Sequence, residues 1–314
     1  MIVINKKTLN KSYQASLKIM EERATSFYHA FKNLPKERFM GVAALYAFNR
    51  YADDLVDWNQ EPSAMKVALD KLKVLEDNIK RIPTAKDMNE FDETLTSLDW
   101  WSAFYTTIMI YCIDISHFLS QIEGQRMDAE FKPLKDIEDL IQYSQKVAGS
   151  VGLMLLPILT VDPLRLKNPL FQKAAEDLGV GMQITNILRD VGEDIKTRNR
   201  SYLPEEILAQ YQVNMNEIEK IVLENERDPE IPTEFIKAWD FLFDLANHYY
   251  EAYLNYLEDF HPKVRLPLIA AAKMYQAIGE VVKEEGYNCL TKRCYTSKER
   301  RIDILKSIQK NYNL

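Results

Sequence analysis

Apolar residues along this chain recur every three or four positions, and no stretch alternates strictly between apolar and polar. That period belongs to the α-helix, in which about 3.6 residues complete a turn. The pattern predicts a helix over 9–31, stopping before Leu34-Pro35 because proline disfavours helical backbone in the residue ahead of it. Further helices are expected over 35–58, 63–82, 134–159, 168–196, 232–260, 264–286 and 297–312. The segment 99–131 reads as one broken helix or two, 83–96 as a polar surface connection, and 213–231 as largely polar with a turn at its end. Only 9 Gly and 12 Pro leave little of the turn punctuation that sheets need. The expectation is an all-α chain forming a single domain over 1–314.

Two helical stretches break the ordinary apolar-in, polar-out arrangement. Asn186, Asp190 and Asp194 lie four residues apart, drifting about 40° per step, and so share one side of a helix. Ile184, Ile187, Leu188 and Val191 accompany them, and no lysine stands on the same face. Oxygen-bearing side chains beside a core are costly unless something positive joins them. The second stretch sets Tyr46, Arg50, Asp53 and Asp57 on one helix face, ending again in carboxylates four apart. Either stretch alone reads most simply as a solvated face. Together they suggest two acidic faces that confront each other as a magnesium cage for a diphosphate. Magnesium takes hard oxygen ligands, usually one or two carboxylates with phosphate and water oxygens. Asp53, Asp57, Asn186, Asp190 and Asp194 are the candidate metal ligands, and Arg50 and Arg189 would fork onto the diphosphate. The matching reaction is ionisation of an allylic diphosphate.

Composition narrows the alternatives. A net charge of −7 without a basic, aromatic-laced run argues against nucleic acid as partner. The cysteines Cys112, Cys289 and Cys294 lack metal-ligand spacing and read as reduced thiols of a cytoplasmic protein. No apolar run approaches the roughly 20 residues that cross a bilayer. A lipid-like substrate or product would still favour peripheral contact with the inner face of the membrane. His29, His117, His248 and His261 sit in no nucleophile context, and no Gly-x-Gly-x-x-Gly follows a strand. No NADPH is therefore expected. With 17 Tyr and 13 Phe, the core has material to line a large apolar cavity.

Glycines inside expected helices (Gly149, Gly152, Gly179, Gly181) ask for a reason, either close helix packing or room for a ligand. The basic loop Lys196-Thr-Arg198-Asn-Arg200-Ser-Tyr202-Leu-Pro204 is a solvated connection or a cation-bearing lid.

Taken in order, these motifs resemble the squalene/phytoene synthase family. The resemblance rests on Ser26-Phe27 with Phe31, Leu45-Tyr46-Ala-Phe-Asn-Arg50 with Asp53 to Asp57, Tyr143 with Val147-Ala-Gly-Ser-Val-Gly152, and Gln183 to Asp194. Arg200-Ser-Tyr202-Leu-Pro204, Tyr275 and Gly286 to Arg293 extend it toward the C-terminus. It implies the isoprenoid synthase fold, a helical bundle around a central active-site cavity. It also implies head-to-head coupling of two prenyl diphosphates through a cyclopropylcarbinyl diphosphate, with several magnesium ions. By the same resemblance Tyr46, Arg50, Asp53, Asp57, Tyr143, Asp190 and Asp194 carry catalysis. Ser26, Phe27, Phe31, Arg50, Gln183, Asn186, Arg189, Tyr275 and Arg293 contact substrate. Arg23 departs from the family, standing where some relatives have a small polar residue or histidine. The run Asn-Ile-Leu-Arg-Asp-Val-Gly-Glu-Asp is similar to carotenoid-type enzymes, dehydrosqualene or phytoene synthases, and the Lys-, Asn- and Ile-rich composition tilts the expectation to farnesyl diphosphate and dehydrosqualene. The alternatives are phytoene synthase acting on geranylgeranyl diphosphate, squalene synthase, a prenyl diphosphate phosphatase on the same fold, or a helical protein that has lost its chemistry.

Overall fold

The structure, a computed structural model, describes residues 2–57 and 62–312, without the side chains of Thr25, Ser26, Asp57 and Pro62. Among the described residues the regular structure is helical, with a single isolated antiparallel bridge between Thr160 and Phe260. Among them no helix is long and apolar enough to cross a membrane. The chain groups into two compact units, one of residues 1–130, 150–172 and 258–267, the other of 131–149, 173–257 and 268–314.

The first unit is built around the helix Lys36–Asp57, which packs against Lys6–Arg23, Trp101–Tyr111, Ile115–Ala129 and Ser150–Leu159. Val42, Leu45, Phe48, Ala52 and Leu55 recur at helical spacing and are all buried. Phe48 stacks on Phe104 with centroids 4.8 Å apart, and Phe118 meets both rings edge-on at 5.2 Å. Such pairs add about 0.5–1.5 kcal/mol beyond the area they bury. Arg38 donates to the carbonyls of Ile158 and Thr160, satisfying groups that the end of Ser150–Leu159 leaves open.

In the second unit, Thr233–Tyr249 is tied to the helix Pro169–Arg189 by the indole of Trp239, which donates to Leu188 O at 3.0 Å. Gly149 and Gly179 settle one open question. A Cβ on Gly179 would lie 2.4 Å from Ala148 O, and one on Gly149 would lie 2.9 Å from Glu176 Cγ. These two glycines serve close helix packing, not space beside the backbone for a ligand.

Five expected elements differ. The 232–260 stretch ends its α-helix at Tyr249, and Ala252–Asp259 follows as a separate 3-10 segment. The first helix breaks at Ala24, whose backbone (φ −142, ψ 59) separates Lys6–Arg23 from Thr25–Phe31. The 134–159 stretch becomes Ile137–Ser144, a π turn over Gln145–Gly149, and Ser150–Leu159. The 168–196 stretch divides at Asp190 into Pro169–Arg189 and Val191–Arg198. The polar 213–231 stretch holds a real helix, Met215–Glu224, anchored by buried Ile218 and Val222. The 99–131 segment is two helices, parted by Cys112 in the left-handed conformation.

Candidate active site

In the first unit, Tyr46, Arg50 and Asp53 line the half-buried side of the helix whose opposite side forms the core. Burial pushes the Tyr46 phenol above its ordinary range, partly countered by the nearby Arg50. Phe27 lies 6.0 Å from the Tyr46 ring and meets Phe31 edge-on at 4.6 Å, so the two phenylalanines share a face as their spacing requires. Arg50 pairs with Asp54, the neighbour of the expected ligand. Asp53 accepts from Gln125 Nε2 at 2.7 Å and from Gln121 Nε2 at 3.3 Å, both bonds ending on Oδ1. The side chains of Ser26 and Asp57, both expected at the site, lie outside the described residues.

In the second unit, Asn186, Asp190 and Asp194 keep their spacing across the helix break. Asp190 N donates to Asn186 O at 2.9 Å, and Asp194 N to Asp190 O at 2.8 Å. The face is not bare of positive charge, however. Arg189 Nε donates to Asp190 Oδ1 at 2.7 Å, and Arg293 Nε lies 3.1 Å from the same oxygen. Arg293 Nη1 also reaches Glu193 at 3.0 Å, and Arg198 lies 3.4 Å from Asp194. The absence of lysine concealed three arginines, and Arg189 forks onto its own neighbour. Gln183 is half-buried on the helix of Asn186. Tyr275 is half-buried on the helix Pro262–Glu284.

Tyr143 is buried against Tyr202, ring centroids 5.1 Å apart. Tyr202 in turn meets Phe131, and the Arg200 guanidinium lies 5.4 Å from that ring's centroid. The basic loop is thus packed at both ends of its arginine pattern. Among the described residues no three His, Cys, Asp or Glu side chains converge on one metal position. The available donors, carboxylate and amide oxygens, are nonetheless of the hard type that magnesium takes.

Residues 20–300 match the family model for squalene/phytoene synthase. The chain belongs to that family. The 4,4'-diapophytoene synthase of Staphylococcus haemolyticus is 29% identical over 97% of this chain and 99% of its own length. A 15-cis-phytoene synthase of Synechococcus elongatus is 28% identical, covering 94% of this chain and 91% of its own. Among solved structures, a ligand-bound dehydrosqualene synthase superposes with a TM-score of 0.78 at 29% identity, covering 98% of both chains. The family is one of prenyltransferases, and the all-helical fold of this member agrees with that synthase.

Within this family member, two features escaped sequence reasoning. Gln121 and Gln125 occupy positions that helical periodicity assigns to the core beside Phe118 and Ile122, and polar residues there went unremarked. Gly192 drew no attention either. A Cβ on it would lie 1.9 Å from Leu290 O, and its own N–H donates to Cys289 O at 3.1 Å. That contact sets the C-terminal segment beside Val191–Arg198, where Arg293 reaches Asp190.

Proposed function

We propose that this protein couples two farnesyl diphosphates head to head, through a cyclopropylcarbinyl diphosphate, to dehydrosqualene with release of diphosphate, in carotenoid biosynthesis. The observation that carries the reading is the 29% identity and 0.78 TM-score to a dehydrosqualene synthase over 98% of both chains. The Staphylococcus haemolyticus relative points the same way. The whole chain acts as one prenyl synthase domain in this reading.

Asp53, Asp57, Asn186, Asp190 and Asp194 are the residues that would hold magnesium. Bound magnesium would neutralise the departing diphosphate and so favour ionisation. Arg50, Arg189 and Arg293 supply guanidinium donors that suit diphosphate oxygens. Gln183 and Tyr275 complete its polar surroundings, with Ser26 at the start of the substrate-facing helix. Phe27 and Phe31 line the prenyl tail, while Tyr46 and Tyr143 present phenols toward the reacting carbons. The final cation loses a proton, so no NADPH is consumed.

Incubation with farnesyl diphosphate and magnesium, with and without NADPH, tests this by product identification. A conjugated C30 triene formed without reductant is the expected product. Squalene formed only with NADPH, or farnesol alone, rejects the assignment. A second reading, phytoene synthase, is favoured by the Synechococcus relative and predicts preference for geranylgeranyl diphosphate.

A further inference from the structure

The helix Ile115–Ala129 turns Phe118, Gln121, Ile122 and Gln125 toward the interior of the first unit. Phe118 and Ile122 are fully buried, and the two glutamines are 1% and 5% exposed. Aliphatic side chains would fill these positions at lower desolvation cost, since a buried amide must find partners. The Gln121 Oε1 atom in fact has none among the described residues. The cost is tolerated at the one place where both Nε2 groups reach the same oxygen of Asp53, from one helical turn apart.

We propose that Gln121 and Gln125 are positioning residues that set the Asp53 carboxylate for cation binding. The inference rests on the magnesium reading given above for Asp53. A lysine or arginine in their place would orient the carboxylate and also cancel its charge. Neutral amides fix the orientation and leave the negative charge available to a metal. Groups that orient a metal ligand typically change affinity by about 10–100-fold when removed. Helix Ile115–Ala129 is itself braced, because its Arg126 pairs with Glu76 on Pro62–Arg81.

The test replaces each glutamine by methionine, which keeps volume and unbranched shape but donates no hydrogen bond. Mn2+ binding in the presence of inorganic diphosphate is followed by electron paramagnetic resonance of the free ion. Gln125→Met should raise the Mn2+ concentration for half-saturation by about tenfold or more, and Gln121→Met by less. Turnover should show the same shift in magnesium requirement and recover at saturating magnesium, while the melting temperature is kept. A merely structural glutamine would lower stability and leave metal affinity alone. Metal affinity like wild type in both variants overturns the proposal, and the Gln121 variant still decides if Gln125→Met does not fold. Wild type that binds Mn2+ with diphosphate but couples no prenyl diphosphate rejects the synthase reading, not this one.

Discussion

Gly192 and Leu290 approach so closely that a single methyl group on the glycine would stand 1.9 Å from the leucine carbonyl oxygen. The neighbouring bond from Gly192 N to Cys289 O, 3.1 Å long, shows that two backbones are in contact there. Neither strand of chain has a side chain free to give way, so the segment 289–294 must move if the glycine is replaced. Gly192→Ala should therefore cost about 1–3 kcal/mol, as overpacking does. It should also separate Arg293 from Asp190. Denaturant unfolding reads the first effect, and limited proteolysis within 286–296 reads the second. Unchanged stability and protease resistance would refute the packing argument.

Asp190 is held by Arg189 and Arg293, and the Arg189 side chain is only 13% exposed. Removing the carboxylate thus strands a nearly buried guanidinium as well as a proposed metal ligand. Asp190→Asn, which keeps shape and one acceptor, should lower turnover about a hundredfold or more. The rise in melting temperature on adding magnesium and diphosphate should vanish, because ligand stabilises only the state that binds it. Turnover near the wild-type level would contradict the ligand assignment.

Phe31 is 6% exposed and packed edge-on against Phe27. Burial of that degree predicts that Phe31→Ala costs about 3–5 kcal/mol. Chemical denaturation measures the loss, and competition between farnesyl and geranylgeranyl diphosphate measures specificity. A gain in geranylgeranyl use would place Phe31 at the far end of the tail that it lines, and stability retained would refute the packing argument.

Glu76 is held down to about 2 by hydrogen bonds from Lys80 and then Arg126. A carboxyl lowered in the folded state stabilises above its unfolded value of about 4.5 and loses that contribution as pH falls toward 2. Glu76→Gln should flatten the decline of melting temperature across that window relative to wild type. Parallel curves for the two proteins would show that the pair contributes nothing.

The helical class was legible because apolar positions such as Val42, Leu45, Phe48 and Ala52 keep a 3.6-residue period wherever the core demands it. The interruptions were not. Ala24 and Asp190 are neither proline nor glycine, and the apolar period runs through both without a mark. The acidic faces were visible as spacing, yet the arginines on Asp190 include one that lies 103 residues away in the chain. Periodicity also hid Gln121 and Gln125, whose meaning appears only when Asp53 is found opposite. Gly192 is similar: nothing local explains it, and Leu290 does.

The π turn at Gln145–Gly149 holds one more residue per turn than the helix before it. Deleting one residue there would restore regular α-helical bonding while rotating everything ahead of it by about 100°. Tyr143 would swing off Tyr202, although the shortened helix would be the better helix by every local measure. In this stretch the number of residues, and not only their identity, sets which side chain faces Tyr202: a chain one residue shorter between Tyr143 and Gly149 would present a different one.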